Sequence, residues 1–175
     1  SIKQINAIAV SKGPGSYTGL RMGVSTAKGL CYALNIPLIS IDTLQAMAYA
    51  VKSKYSNLNT QILLCPMLDA RRMEVYCAVY NENLEPVRPV NAMVLEEKSI
   101  EAFNLNQLIY FFGDGMPKAK DLLQTNKQAL FVGDIFPSAN SMAALAFQKF
   151  QQKQFEDVAY FEPFYLKEFF TSAKI

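Results

Sequence analysis

The residues best placed to bind a phosphate lie in one glycine-rich turn near the start of the chain. The segment GPGSYTGLR follows the apolar stretch INAIAVS and leads into a long helical pattern. Such a turn presents backbone N–H groups and the positive end of a helix dipole to an anion. The candidate residues of this anion- or partner-binding loop are Gly13, Gly15, Ser16, Thr18 and Arg21.

This glycine loop is not a complete nucleotide-binding motif. It has no GK[ST], so it does not match a Walker A sequence, and no GxGxxG, so it lacks the dinucleotide fingerprint. Ser16 does not stand in a GxSxG nucleophile elbow. Phosphate binding, a purely structural turn and contact with a partner therefore remain open.

Small residues recur along the helix that follows the loop. Gly19, Gly23 and Ala27 are four residues apart and share one face, which Thr26 and Leu30 flank. Glycine inside a helix costs about 1 kcal/mol relative to alanine, so a compensating contact is expected. We predict that a second helix packs closely on this face. That helix could belong to the same chain or to another subunit.

The chain contains no histidine. A Ser-His-Asp or Cys-His catalytic unit cannot be built from it, and a histidine-dependent zinc site is excluded. Its cysteines, Cys31, Cys65 and Cys77, are widely spaced and form no CxxC motif, so we interpret them as reduced thiols. The sequence predicts no cofactor and no metal.

Other charged residues fit ordinary turns better than sites. The stretch Asp69–Glu74, with Arg71 and Arg72, could form a charged pocket or a solvated hairpin turn. The GDG sequence at 113–115 could approach a phosphate or make a plain turn. Arg21 and Lys28 could reach a partner or an RNA phosphate, although solvated charge is the simpler interpretation.

Composition limits the protein class. The 175 residues are 51% hydrophobic and 18% charged, which is typical of a globular protein rather than a disordered one. No apolar run approaches the roughly 18–20 residues needed to span a bilayer, and the start does not resemble a signal peptide. The net charge of +2 is too small to indicate nucleic-acid binding by the chain alone. A cytoplasmic location without membrane attachment is expected.

The pattern of elements predicts an α/β protein in two parts. Residues 1–58 form the pattern β-α-β-α, which implies parallel strands joined by crossover helices. The sequence patterns in residues 59–175 predict a second α/β lobe. It begins with two strands joined by a tight turn and continues with a proline-containing edge strand. Asp42 is expected to begin a helix, with Gln45 completing a capping box.

Three segments together resemble the glycoprotease-like family of bacterial proteins, in particular its TsaB (YeaZ) group. These are AIAVSKGPGSYTGLRMGVSTAKGL, PLISIDTLQAMA and LDARRMEVYCAVY, and the ending YFEPFYLKEF is also similar. The resemblance implies an actin-like, ribonuclease-H-like (ASKHA) fold of two lobes. It also implies that the first lobe is incomplete here and lacks an N-terminal segment of about sixty residues.

The resemblance extends to a catalytic paralogue, TsaD, which has the same glycine loop. In TsaD a motif of the type N-H-L-E-G-H supplies two metal-binding histidines, and the same register here reads DTLQAM. Thr43 and Met47 replace the histidines, which implies a non-catalytic subunit of the tRNA threonylcarbamoyladenosine-modification complex. The implied partners are TsaD, the ATPase TsaE and, through the complex, tRNA; a homodimer is implied when TsaD is absent. A glycoprotease-like hydrolase or peptidase and an actin-like nucleotide-binding module are the alternatives.

Overall fold

A computed structural model describes residues 2–55, 62–103 and 107–167. Its strands form one two-stranded sheet and one five-stranded sheet. The strands are β1 (Ile8–Gly13), β2 (Leu38–Asp42), β3 (Ile62–Asp69), β4 (Glu74–Tyr80), β5 (Pro86–Val94), β6 (Leu108–Phe112) and β7 (Ala129–Val132). The α-helices are α1 (Tyr17–Leu34), α2 (Thr43–Lys54), α3 (Glu97–Ile100), α4 (Met116–Leu123) and α5 (Ala139–Gln151). Within the described ranges, no helix is long and apolar enough to cross a bilayer.

The first sheet pairs β1 and β2 in parallel, with Ile8 opposite Leu38. The parallel pairing follows from the crossover through α1, as the sequence predicts. Successive side chains of β2 point to opposite faces of the sheet. Leu38 packs with α1, whereas Ile39 and Ile41 pack with residues of α2 and α5. The sheet is therefore covered by α1 on one face and by α2 and α5 on the other.

The second sheet has the strand order β5-β4-β3-β6-β7. β3 and β4 form the predicted antiparallel hairpin, and β6 and β7 run parallel to β3. β5 is an edge strand, as its prolines predict, because a proline nitrogen cannot donate to a neighbouring strand. One face of this sheet packs against α4, and the other packs against α2.

Helix α2 connects the two sheets. Ala46 lies in the cluster against β2, whereas Leu44 and Met47 lie in the cluster against β3 and β6. Because α2 is buried on two sides, its start and the adjoining Asp42 lie at the junction of the two sheets. The domain boundary expected at residues 58 and 59 falls outside the described residues.

Candidate functional site at the glycine loop and helix α1

The glycine loop leaves the end of β1 at Gly13, which has a φ of +112°. A Cβ at this position would lie 2.7 Å from the carbonyl oxygen of Phe164, closer than real side chains come. The Phe164 N–H donates to the Lys12 carbonyl at 2.7 Å. Gly13 is thus required because residues near the C terminus cross directly over the loop. Residues 156–167 are called the C-terminal strap below.

Side chains of α1 hold the strap in place. The Lys28 Nζ donates to the Ala159 carbonyl at 3.1 Å and to the Phe161 carbonyl at 2.9 Å. The Tyr165 ring lies 4.7 Å from the Tyr17 ring, between centroids. Lys28 is therefore a structural cation, and its interpretation as a solvated charge is wrong. Sequence spacing could not show this, since the acceptors lie more than 130 residues away.

The start of α1 uses the polar residues of the loop for helix capping. The Ser16 Oγ accepts from the Gly19 N–H at 3.3 Å, which makes Ser16 the N-cap of α1. Thr18 is exposed, and the Arg21 guanidinium lies 4.5 Å from the centroid of the Tyr17 ring. A Cβ on Gly15 would make only an ordinary contact with Leu20. Gly13 is covered by the strap, so the structure brings these five candidates together without leaving the whole loop open. Their binding of an anion or a partner stays a prediction.

Ala27 does not lie on the exposed part of the predicted small-residue face. Ala27 is 5% exposed and packs with Cys31 and Leu38 in the core between α1 and the first sheet. The apolar residues Leu20 and Val24 share this buried face. They orient the helix towards its own sheet and carry Ala27 inward, so Ala27 cannot line an intersubunit contact.

The remaining members of that face are exposed. Gly19, Gly23, Thr26 and Leu30 all reach solvent. Sequence reasoning missed three further residues of the outer surface of α1. Met22 is 66% exposed, Tyr32 is 85% exposed, and a Cβ on Gly29 would meet no atom within 4 Å. A helical projection centred opposite Leu20, Val24 and Cys31 would have found them.

The register of the paralogue's metal site holds no suitable ligands. Thr43 exchanges a hydrogen bond with the Ser11 hydroxyl, and Met47 is fully buried in an apolar cluster. Neither a threonine hydroxyl in such a pair nor a thioether in a hydrophobic core suits a hard or borderline metal ion. Among the residues the structure describes, no three Cys, Asp or Glu side chains group as metal ligands do. The side chains present do not fit the paralogue's metal.

Asp42 occupies the junction between the sheets. Its Oδ1 accepts from the Leu44 and Gln45 N–H groups at 2.9 and 3.1 Å, which confirms the predicted N-cap. The Gln45 side chain donates to the Leu84 carbonyl instead, so the reciprocal half of the expected capping box is not formed. Burial raises the pKa of Asp42, and the Tyr80 hydroxyl donates to the same oxygen at 3.4 Å.

The charged hairpin and the GDG sequence together form a structural turn. Lys118 pairs with Asp69 at 2.7 Å, and this contact lowers the pKa of Asp69. The Asp114 carboxylate accepts from the Asp69 N–H at 3.0 Å. Gly113, with a φ of +105°, lies against the Met67 carbonyl, where a Cβ would overlap it. The glycines are explained by this close approach of β6 to β3, without a ligand.

Comparison with known proteins identifies the family of the chain. Residues 1–174 match a family model described as TsaD, tRNA N6-adenosine threonylcarbamoyltransferase. The chain is 32% identical over 172 residues to the tRNA threonylcarbamoyladenosine biosynthesis protein TsaB of Escherichia coli (strain K12), covering 95% of this chain and 73% of that protein. It is 37% identical over 98 residues to the TsaB protein of Bacillus subtilis (strain 168), covering 54% and 40%.

The solved structure of YeaZ from Pseudomonas aeruginosa matches the fold with a TM-score of 0.72. That match covers 95% of this chain and 76% of the YeaZ chain at 22% sequence identity. It confirms the predicted actin-like α/β fold. The chain belongs to the TsaB (YeaZ) group of the TsaD-type threonylcarbamoyltransferase family.

Proposed function

We propose that this chain is a non-catalytic subunit of the tRNA threonylcarbamoyladenosine-modification complex and pairs with TsaD through the outer surface of α1. The observation that carries the proposal is the exposure of this surface. It holds exposed helix glycines beside large apolar side chains, and within the described ranges a Cβ on Gly29 would meet no atom within 4 Å.

The chemistry of this surface suits a second helix. A glycine in a helix interior costs about 1 kcal/mol, and a Cβ on Gly29 would meet no described atom within 4 Å, whereas one on Gly23 would make an ordinary contact with Val10. Small residues let a partner backbone approach closely, and Met22 and Tyr32 supply exposed area that a partner would bury. A subunit contact would offset the cost of Gly29, which no packing within the described residues does.

The same surface can serve two partners. A second copy would bring two such faces together about a two-fold axis, which gives the homodimer expected when TsaD is absent. TsaD shares the glycine loop and the following helix, so it would present a related face. Support by the ATPase TsaE, contact with tRNA through the complex and a cytoplasmic location belong to the same proposal.

A non-catalytic role is supported by the side chains at the positions that correspond to the metal-binding histidines of TsaD. The sequence has no histidine, and Thr43 and Met47 are engaged in a hydroxyl pair and in a hydrophobic cluster. A hydrolase would need an activated nucleophile, and the described residues contain no Ser-His or Cys-His pair. An actin-like nucleotide module would need an accessible phosphate loop, and the strap covers Gly13.

The test uses the full-length protein with a Gly29→Leu substitution, matched by Gly133→Leu in a loop where a Cβ also meets no atom within 4 Å. Leucine favours the helix by up to about 1 kcal/mol over glycine, so the Gly29 variant is expected to remain folded. We expect it to lose TsaD binding and homodimerisation by at least tenfold in sedimentation experiments. Reconstituted tRNA modification should fall with it, whereas Gly133→Leu should behave as wild type.

Retention of both associations by folded Gly29→Leu would contradict the proposal. Turnover of ATP or a peptide by the purified protein alone would restore the enzyme alternatives. A rise in melting temperature with ATP would instead favour the nucleotide module, because a ligand that binds only the folded state stabilises it.

A further inference from the structure

The tip of the β3–β4 hairpin displays two consecutive arginines in an unusual backbone conformation. Arg71 has a φ of +68° and Arg72 a φ of +49°, and both side chains are exposed. Left-handed conformations are uncommon for residues other than glycine and are best tolerated by asparagine and aspartate. Two adjacent arginines therefore hold the backbone of the tip in a conformation that arginine rarely adopts.

The surrounding groups fix the backbone of the tip and leave its guanidinium groups available. The Asp69 carboxylate accepts from the Arg71 N–H at 2.6 Å, and the Lys118 ammonium donates to the Arg72 carbonyl at 2.6 Å. Lys118 also neutralises Asp69 at 2.7 Å, and Asp114 is engaged with the Asp69 N–H. Within the described part of the chain, neither guanidinium has an ion-pair or hydrogen-bond partner.

The strap joins this tip to the start of α1. Lys167 pairs with Glu74 at the hairpin, and Tyr165, two residues earlier, packs on Tyr17. Two residues of extended chain span at most about 7 Å, so the strap backbone passes from the Glu74 contact to the Tyr17 contact within that distance. Arg21 lies over the Tyr17 ring. The carboxylates of Glu74 and Asp69 are both paired with lysines, and neither forms an ion pair with Arg71 or Arg72 in the described residues.

We propose that Arg71 and Arg72 bind the phosphate backbone of RNA. The proposal rests on the proposed function, because tRNA is the substrate of that complex. Arginine is suited to phosphate through its planar fork of donors. An acidic protein surface is the alternative ligand. RNA is favoured because two adjacent guanidinium groups complement the charge of consecutive phosphates, and tRNA is the substrate of the proposed complex.

The experiment measures binding of a fluorescently labelled tRNA by anisotropy over a range of salt concentrations. It uses the full-length protein, alone and bound to TsaD. The variant is Arg71→Asn with Arg72→Asn, since asparagine tolerates the left-handed backbone while removing both charges. The control is Lys52→Asn with Lys54→Asn, which removes the same charge from exposed positions in the last turn of α2.

We expect the arginine variant to lower the magnitude of the slope of log affinity against log salt by about 1.4 to 1.8, because each of two phosphate contacts contributes roughly 0.7 to 0.9. Affinity at low salt should fall at least tenfold, and the melting temperature should not decrease. The control should retain the wild-type slope within about 0.5. Free inorganic phosphate at millimolar concentration should not compete measurably, which separates RNA from a simple phosphate ligand.

Several outcomes would overturn the proposal: no tRNA binding by the wild-type protein in either form, an unchanged slope in the folded arginine variant, or an equal loss in the lysine control. Loss of TsaD binding with unchanged tRNA affinity would show a protein contact instead. Gly29→Leu in the same assay separates the two proposals. If it still pairs with TsaD while the arginine variant loses its salt slope, the proposed α1 interface fails and the RNA surface stands.

Discussion

Replacement of Gly13 by alanine tests whether the glycine loop exists to accommodate the C-terminal strap. The φ of +112° is strained for any residue with a side chain and costs about 1–3 kcal/mol. The new methyl group would also displace the Phe164 carbonyl and break the 2.7 Å hydrogen bond from Phe164 to Lys12, worth about 0.5–1.5 kcal/mol. We therefore expect Gly13→Ala to lower the free energy of unfolding by about 1.5–4.5 kcal/mol.

Gly15→Ala is the matched control from the same GPG sequence. Its Cβ would lie 3.9 Å from Leu20, an ordinary contact, and its φ lies outside the left-handed region. The free energy of unfolding should change by less than about 1 kcal/mol and can rise through reduced entropy of the unfolded chain. The difference between the two variants isolates the effect of strap packing and backbone strain from any general intolerance of the loop.

The assay combines urea denaturation of the full-length protein with amide hydrogen exchange. Exchange at the strap amides, including that of Phe164, should accelerate in Gly13→Ala more than exchange in the second sheet does. Equal unfolding free energies for the two alanine variants, within about 0.5 kcal/mol, would refute the reasoning. A loss of stability without faster exchange in the strap would refute only the strap contribution and leave backbone strain as the cause.

Three further predictions use the same unfolding measurements. Lys28→Met should remove two charge-assisted hydrogen bonds to the strap and lower the unfolding free energy by about 1.5–3 kcal/mol, with faster strap exchange; unchanged exchange would contradict it. Asp42→Asn retains the helix cap and removes a buried charge, so it should be at least as stable as wild type at pH 7. Because folding raises the pKa of Asp42, the free energy of unfolding of wild type should rise relative to that of Asp42→Asn as the pH falls towards 4. A constant difference between the two free energies across that range would contradict this. Gly113→Ala should destabilise by more than about 2 kcal/mol, since its Cβ would overlap the Met67 carbonyl, whereas Gly133→Ala should change stability by less than about 1 kcal/mol.

Local sequence patterns sufficed for most of the elements. The alternation of apolar stretches with glycine and proline predicts the order of strands and helices. Asp42 is the N-cap of α2, as the sequence predicts, and Ser16 is the N-cap of α1. These features depend on residues a few positions apart, because capping and strand formation are short-range. The prolines of β5 likewise identify an edge strand from their missing N–H groups alone.

The orientation of α1 is a feature that local sequence patterns did not predict. Spacing placed Gly19, Gly23 and Ala27 on one face, and that is correct for the helix by itself. Which face turns inward depends on the sheet, and Leu20 and Val24 rotate Ala27 into the core. A repeat of small residues cannot outweigh a stripe of larger apolar residues, because burial of the larger side chains contributes more free energy.

The sequence by itself determined the family, the order of elements and the loss of the catalytic histidines, since each is written in residue identity and spacing. Only the tertiary structure decided what the glycine loop contacts, because Phe164 reaches it from the far end of the chain. It also decided that Lys28 anchors the strap and that the guanidinium groups of Arg71 and Arg72 have no ion-pair or hydrogen-bond partner in the described residues. Such contacts form only when the fold joins segments distant in sequence, and no local periodicity encodes them.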